Sequence, residues 1–357
     1  MKPGGKRCAK IKFRRDRRMK GYKHATGTFI GKGGIEIYFQ TWLADRSKGI
    51  VVISHGLGEH SGRYENLIGR MEGAGVSFYA LDHRGHGRSG GNRGHVASFM
   101  EYIQDLKIFV NQIKDEHGDM PVVLLGHSLG GLIAIKYALT HPADLGALVL
   151  SSAGLIPSVA VPGWKKKMGL FFSRYIPKLA MSNGLDPAEL SHDRKVVDAY
   201  INDPLVHDRV SSRWYAEFTA AEEECLRRAR ELRTPLLVIH GGEDRMVDYR
   251  GSERVYADST AKDKTLHIFP GLFHETMNET AAERKKVLDV LAAWITARLG
   301  RRPKGAAAGA KAAPKAKKPA AKKTRKTAVK KASGPKKKKA AAKKTGKPVR
   351  KAGKRKK

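Results

Sequence analysis

Residues 122–131 read VVLLGHSLGG, and their reading decides the fold. An apolar, β-favouring run ends in Gly126-His127-Ser128-Leu129-Gly130, and a helical pattern of Leu132, Ile133, Ile135, Tyr137, Ala138 and Leu139 begins at once. This is strand, sharp turn and helix, with a serine at the apex. Such a turn holds the serine in strained backbone geometry and projects its hydroxyl from the end of the sheet. Gly126 and Gly130 flank the serine because side chains there would clash across the turn. The bare G-x-S-x-G pattern is weak evidence, and the strand before it and helix after it are what make it specific.

The same alternation extends in both directions. Thr26–Ile30 and Ile35–Trp42 flank a Gly-Lys-Gly-Gly turn and predict a hairpin. Apolar runs follow at Ile50–Ser54, Val76–Leu81, Val122–Gly126, Ala147–Ser152, Pro235–Gly241 and Thr265–Phe269. Helical patterns lie near 62–74, 98–117, 129–140, 250–257 and 281–298. Strands alternating with helices of this length predict an α/β fold: a mostly parallel sheet covered by helices on both faces. The alternation stops between about 154 and 232, a helical or irregular stretch without strand runs. An insertion there sits over the C-terminal edge of the sheet, where α/β proteins bind ligands, and is expected to be a cap.

The 357 residues carry a net charge of +36, but unevenly. Residues 301–357 hold 26 Lys/Arg and no acid, and residues 1–24 carry +10, which leaves residues 25–300 without net charge. The chain is therefore expected to comprise a basic flexible arm (1–24), a neutral globular domain (25–300) and a Lys/Ala/Pro-rich tail (301–357). The tail has too little apolar surface to offset chain entropy, so it is expected to be disordered. It lacks aromatics, so any nucleic acid it binds is read by charge alone, and an anionic membrane surface satisfies the same charge. Pro335-Lys336-Lys337-Lys338-Lys339 resembles a nuclear import signal, and the tail as a whole resembles that of linker histones. Cys8 and Cys225 do not make a disulfide framework, which fits a reducing compartment. No signal peptide or transmembrane helix is expected, so a cytoplasmic location follows, with nucleoid, nuclear or membrane-surface association if the tail engages a polyanion. No metal or cofactor is expected.

A nucleophilic serine needs a base, an orienting carboxylate and oxyanion donors. Strand Pro235–Gly241 runs into Gly242-Glu243-Asp244, and strand Thr265–Phe269 runs into Pro270-Gly271-Leu272-Phe273-His274. Both ends lie on the sheet edge that carries Ser128, so Ser128, His274 and Asp244 are the expected triad. Asp248 and Glu243 are alternatives for the acid. His127, His83 and His86 are read as neighbours of the site and His240 as core. The backbone N–H of Leu129 and of Leu57, in His55-Gly56-Leu57-Gly58, are the expected oxyanion donors.

Five motifs occur in order: HGLGEHSGRY (55–64), LDHRGHGRSGG (81–91), GHSLGG (126–131), GGEDRMVD (241–248) and KTLHIFPGLFHETMNE (264–279). With the cap stretch GLDPAELSHDRKVVDAYINDPLVH (184–207), they resemble the monoacylglycerol lipase and lysophospholipase branch of the α/β-hydrolases, over about residues 26–299. The resemblance implies the same triad and donors, and a serine ester hydrolase acting on monoacylglycerols or lysophospholipids. Vertebrate members carry a cysteine near the acid where this chain has Val247. The cap pattern argues against haloperoxidase and C–C hydrolase chemistry on the same triad. Residues 154–181 combine thirteen large apolar residues, Leu170 and Phe171 among them, with Lys165, Lys166, Lys167, Arg174 and Lys178 and no acid. They predict either a lid that binds an acyl chain and anionic lipid, or a helix packed on the enzyme core. A different class of reading is a nucleoid- or chromatin-associated protein carrying a hydrolase-like scaffold. The intact Ser, Asp and His set argues against it.

Overall fold

The computed structural model describes residues 21–158 and 163–299. Its strands are β1 (Tyr22–Ile30), β2 (Glu36–Ala44), β3 (Gly49–Ser54), β4 (Val76–Leu81), β5 (Val122–His127), β6 (Ala147–Ser151), β7 (Ala180–Ser182), β8 (Arg209–Ser211), β9 (Leu236–Gly241) and β10 (Lys264–Phe269). Its α-helices are α1 (Glu65–Arg70), α2 (Met100–His117), α3 (Leu129–Thr140), α4 (Gly163–Tyr175), α5 (Arg194–Ile201), α6 (Ser212–Arg228), α7 (Arg250–Asp258) and α8 (Ala281–Thr296). Eight strands form one sheet in the order β1-β2-β4-β3-β5-β6-β9-β10. The β1–β2 and β2–β4 pairs are antiparallel and all others in this sheet are parallel.

The runs are uniformly apolar because both faces are covered. Ile50, Val52, Leu124, Leu148 and Val238 point into a core with α2, α3, α6 and α7. Val51, Ile53, Val123, Val149 and Ile239 point the other way, onto α1 and α8. Alternate residues of each strand thus serve opposite cores, as the two-residue period of a strand requires.

The structure departs from the sequence reading in three places. Strand β1 begins at Tyr22, so residues 22–24, expected in the basic arm, pair with Leu43, Trp42 and Ala44 of β2. Tyr22 is buried and its hydroxyl donates to Met71 O at 2.9 Å, which ties the arm's end to the sheet. Second, the stretch 154–232 contains a two-stranded sheet, β7 with β8. Three-residue strands are too short to announce themselves by periodicity. Third, α6 is not cap: its Trp214, Ala221 and Cys225 belong to the main core. The expected readings of residues 1–20 and 301–357, Cys8, Val159 and Val161 lie outside the described residues, as do the side chains of Lys165 and Lys166.

Candidate active site

Ser128 stands between β5 and α3 with φ 52° and ψ −119°, left-handed geometry that a non-glycine residue adopts only under constraint. The flanking glycines supply the constraint. A Cβ on Gly126 would lie 2.2 Å from Gly130 O, and one on Gly130 would lie 1.9 Å from Ser54 O. The turn is so tight because α3 starts directly against β3 and β5. Leu129 opens α3, so its N–H is among the first-turn donors that lack an intrahelical acceptor.

Loops after β9 and β10 bring the other groups to the same edge. His274 Nδ1 lies 2.7 Å from Asp244 Oδ2, with both side chains buried. The N–H groups of Met246 and Val247 donate to Asp244 Oδ1, each at 2.9 Å. His240 Nε2 reaches Oδ2 at 3.0 Å, while its Nδ1 meets Ser252 Oγ at 2.7 Å. Burial pushes the Asp244 carboxyl up, but His274 and the hydrogen bonds from His240 and His274 outweigh it and hold the acid well below its usual range. Burial pulls His274 down, but the Asp244 charge and hydrogen bond raise it above its ordinary value of 6.5. The alternatives for the acid are elsewhere: Glu243 is exposed, and Asp248 is taken by Arg250.

Ser128 and His274 both line a cavity of about 320 Å³, together with Gly56, Leu57 and His127. The N–H of Gly56 is occupied, donating to Glu59 Oε1 at 2.6 Å, and Leu57 follows it at the cavity wall. His127 is buried with its ring centroid 4.9 Å from that of His274 and is held down at about 4 by burial and by His274. It is neutral at ordinary pH and bonds to Ser151 O at 3.1 Å. His83 and His86 are buried behind the His55 ring, and His83 N donates to His55 Nε2 at 2.8 Å, which braces the loop holding Leu57.

The cap supplies the rest of the wall from the end of α5 and the irregular chain on either side of that helix, rather than from α4. Apolar lining residues are Leu185, Pro187, Leu190, Ile201 and Val206, and polar ones are Glu59, Tyr200, Asp208 and Glu275. Among the described residues, no Lys or Arg lines this cavity. His207 N donates to Gly58 O at 3.0 Å, which fastens the cap to the loop carrying Leu57. Leu170 and Phe171, expected to bind the acyl chain, are not brought here. They are 60% and 58% exposed on α4 and are not among the lining residues. The apolar stripe of α4 faces solvent.

Sequence reasoning missed two features. His240 is a second partner of Asp244 and not plain core. The Arg63 guanidinium forks onto the lining residue Glu275, with Nη2 2.9 Å from Oε2 and Nη1 on Oε1, while Nη1 also lies 3.2 Å from Glu59 Oε2. Burial pushes Glu59 up, yet Arg63 holds it down at about 2. The Glu59/Arg63 spacing in EHSGRY is a legible signal for half of this network. Among the described residues, no group of three or more His, Cys, Asp or Glu is arranged to hold a metal ion.

A strained serine, a histidine–carboxylate pair and a free helix-start amide around one cavity suit nucleophilic acyl transfer. The model of the serine aminopeptidase S33 family matches residues 45–281. The monoacylglycerol lipase of Mycolicibacterium smegmatis is 36% identical over 274 residues, covering 76% of this chain and 97% of that protein. The phospholipase YtpA of Bacillus subtilis is 32% identical over 246 residues, covering 68% and 94%. The crystal structure of a Paleococcus ferrophilus monoacylglycerol lipase superposes with a TM-score of 0.68 at 35% identity, covering 73% of this chain and 99% of that one. With the fold, the family match and these relatives in agreement, the chain belongs to the serine aminopeptidase S33 family, within the monoacylglycerol lipase branch of the α/β-hydrolases, and is a carboxylic ester hydrolase.

Proposed function

We propose that the enzyme hydrolyses monoacylglycerols through an acyl-enzyme on Ser128. The observation that carries this reading is the cavity: Ser128 and His274 share it with apolar residues that suit an acyl chain and with Glu59, Tyr200, Asp208 and Glu275, whose polar groups suit a glycerol. A neutral glycerol finds hydrogen-bond partners among these groups. In this mechanism Ser128 Oγ attacks the ester carbonyl while His274 Nε2, opposite the nitrogen that Asp244 holds, takes its proton. The N–H groups of Leu57 and Leu129 receive the oxyanion. His274 returns the proton to the departing glycerol oxygen. Water, deprotonated by His274, then releases the fatty acid and restores Ser128.

The lysophospholipid reading retains one supporting observation, the similarity to a protein named phospholipase. A panel of monoacylglycerol, lysophosphatidylcholine and p-nitrophenyl butyrate separates the two. Ser128→Ala is expected to lower turnover on every ester by on the order of 10⁴–10⁶. Retention of a few per cent of activity, in protein free of host esterases, would sink the assignment.

The exposed face of α4, with Trp164, Met168, Leu170, Phe171 and Tyr175, together with Arg174 and Lys178 and no acid on the helix, supports docking on an anionic lipid surface. Residues 301–357 support a second role, binding of polyanions without sequence preference. A chain ending at residue 300 is expected to keep full activity on the soluble ester and to lose most binding to duplex DNA. DNA affinity unchanged by the deletion would refute that role, as would preference for one DNA sequence at fixed salt.

A further inference from the structure

Four groups link the base loop to the oxyanion loop behind the cavity. Glu275 directly follows His274, and its N–H donates to Leu190 O of the cap at 2.8 Å. Its carboxylate is buried and takes both terminal nitrogens of Arg63. Arg63 is held from the other side by Glu59 and lies over the Tyr200 ring, 4.7 Å from its centroid. Glu59 completes the chain: it accepts the Gly56 N–H at 2.6 Å and the Tyr64 hydroxyl at 2.8 Å. Gly56 precedes Leu57. The side chains of Arg63, Glu59 and Glu275 expose only 11%, 5% and 4% of their surface.

We infer that Glu275 is a positioning residue, which acts through Arg63 and Glu59 to hold the oxyanion loop in register with His274. The inference rests on the roles proposed above for Ser128, His274 and Leu57. One guanidinium is held between two buried carboxylates, with Nη1 shared by Glu275 and Glu59 and Nη2 on Glu275. Its planar fork transmits the position of one carboxylate to the other. With Glu275 neutral and one of its oxygens replaced by NH₂, Arg63 loses one arm of the fork and swings toward Glu59. Glu59 then turns its Oε1 from Gly56, and the Leu57 N–H leaves the site where oxyanion charge develops. Substrate in its ground state has little oxyanion charge, so the loss falls on the transition state.

Wild type, Glu275→Gln, Glu275→Asp and Ser128→Ala are compared on p-nitrophenyl butyrate, which has no glycerol. The affinity of a trifluoromethyl ketone, whose serine adduct carries the oxyanion, is measured on the same proteins with their thermal unfolding midpoints. Glu275→Gln is expected to lower kcat by about 10–100-fold and to weaken the ketone by the same factor, with KM within about threefold. Glu275→Asp keeps the charge one methylene short and is expected to fall between the two. It also serves as the test variant if the glutamine variant does not fold. A folded Glu275→Gln with unchanged kcat, or with lost kcat and unchanged ketone affinity, would overturn the positioning role alone, provided Ser128→Ala is inactive. An active Ser128→Ala would overturn the function reading and this inference together.

Discussion

Replacing Asp244 by Asn tests the site most sharply, because the structure dictates how the new side chain must sit. Oδ1 accepts two backbone N–H groups, from Met246 and Val247, and no amide nitrogen can replace it there. The Asn oxygen therefore takes that position, and its NH₂ falls where Oδ2 now meets His274 Nδ1 and His240 Nε2. A donor facing Nδ1 makes that nitrogen the acceptor, so the His274 proton moves to Nε2, the nitrogen that accepts the Ser128 proton in the proposed mechanism. The base is present in the wrong tautomer. Loss of a correctly oriented carboxylate from such a triad costs about 10⁴ in kcat, or about 5.5 kcal/mol. Asp248→Asn is the control: Asp248 is bound by the Arg250 guanidinium and backbone N–H, away from His274, so its loss is expected to cost less than about twofold. The assay is kcat/KM on p-nitrophenyl butyrate, with circular dichroism to confirm folding. A larger loss from Asp248→Asn, or a loss below about tenfold from Asp244→Asn, would refute the tautomer argument.

Three further outcomes follow from the same geometry. His274 accepts a proton only when neutral, and Asp244 raises it above 6.5 against burial, so kcat/KM should rise with pH through a step above 6.5; a step below 6 in a pH–rate profile would contradict the pairing. Leu185→Asp and Ile201→Asp, at partly exposed positions of the cavity wall, should hurt a long-chain monoacylglycerol more than p-nitrophenyl butyrate, roughly fiftyfold if three methylenes lose their burial at about 0.8 kcal/mol each. Phe171→Asp should instead weaken turnover of vesicle-presented substrate and spare the soluble ester, and equal losses on both would put α4 back at the acyl chain.

What could be read in the sequence, and what could not, follows from the range of the interactions involved. Strands β3 to β6 and β9 were legible because each is buried on both faces, so nearly every position is apolar. The elbow was legible because close backbone approach excludes a side chain at Gly126 and Gly130, so the constraint is written locally. Asp244 and His274 were legible as ends of strands, since a parallel sheet delivers every such end to one edge. The misreadings are of another kind. The stripe of Leu170, Phe171 and Tyr175 has the same period whether its face meets a core, a tunnel or solvent, and periodicity cannot choose among them. The cavity wall was hidden because Leu185, Pro187, Ile201 and Val206 lie in or beside irregular chain without a repeating pattern. His240 looked like core because it is in a strand and fully buried, yet its burial is possible only because Ser252 and Asp244 satisfy its two nitrogens. Arg63 and Glu275 are 212 residues apart, and nothing in either neighbourhood specifies the other. A buried guanidinium must nevertheless find carboxylates, since leaving it unpaired costs several kcal/mol. Once the fold places Arg63 beneath the oxyanion loop, Glu59 at i−4 satisfies one side, and the second partner has to come from whatever loop crosses there, which is the loop that carries His274.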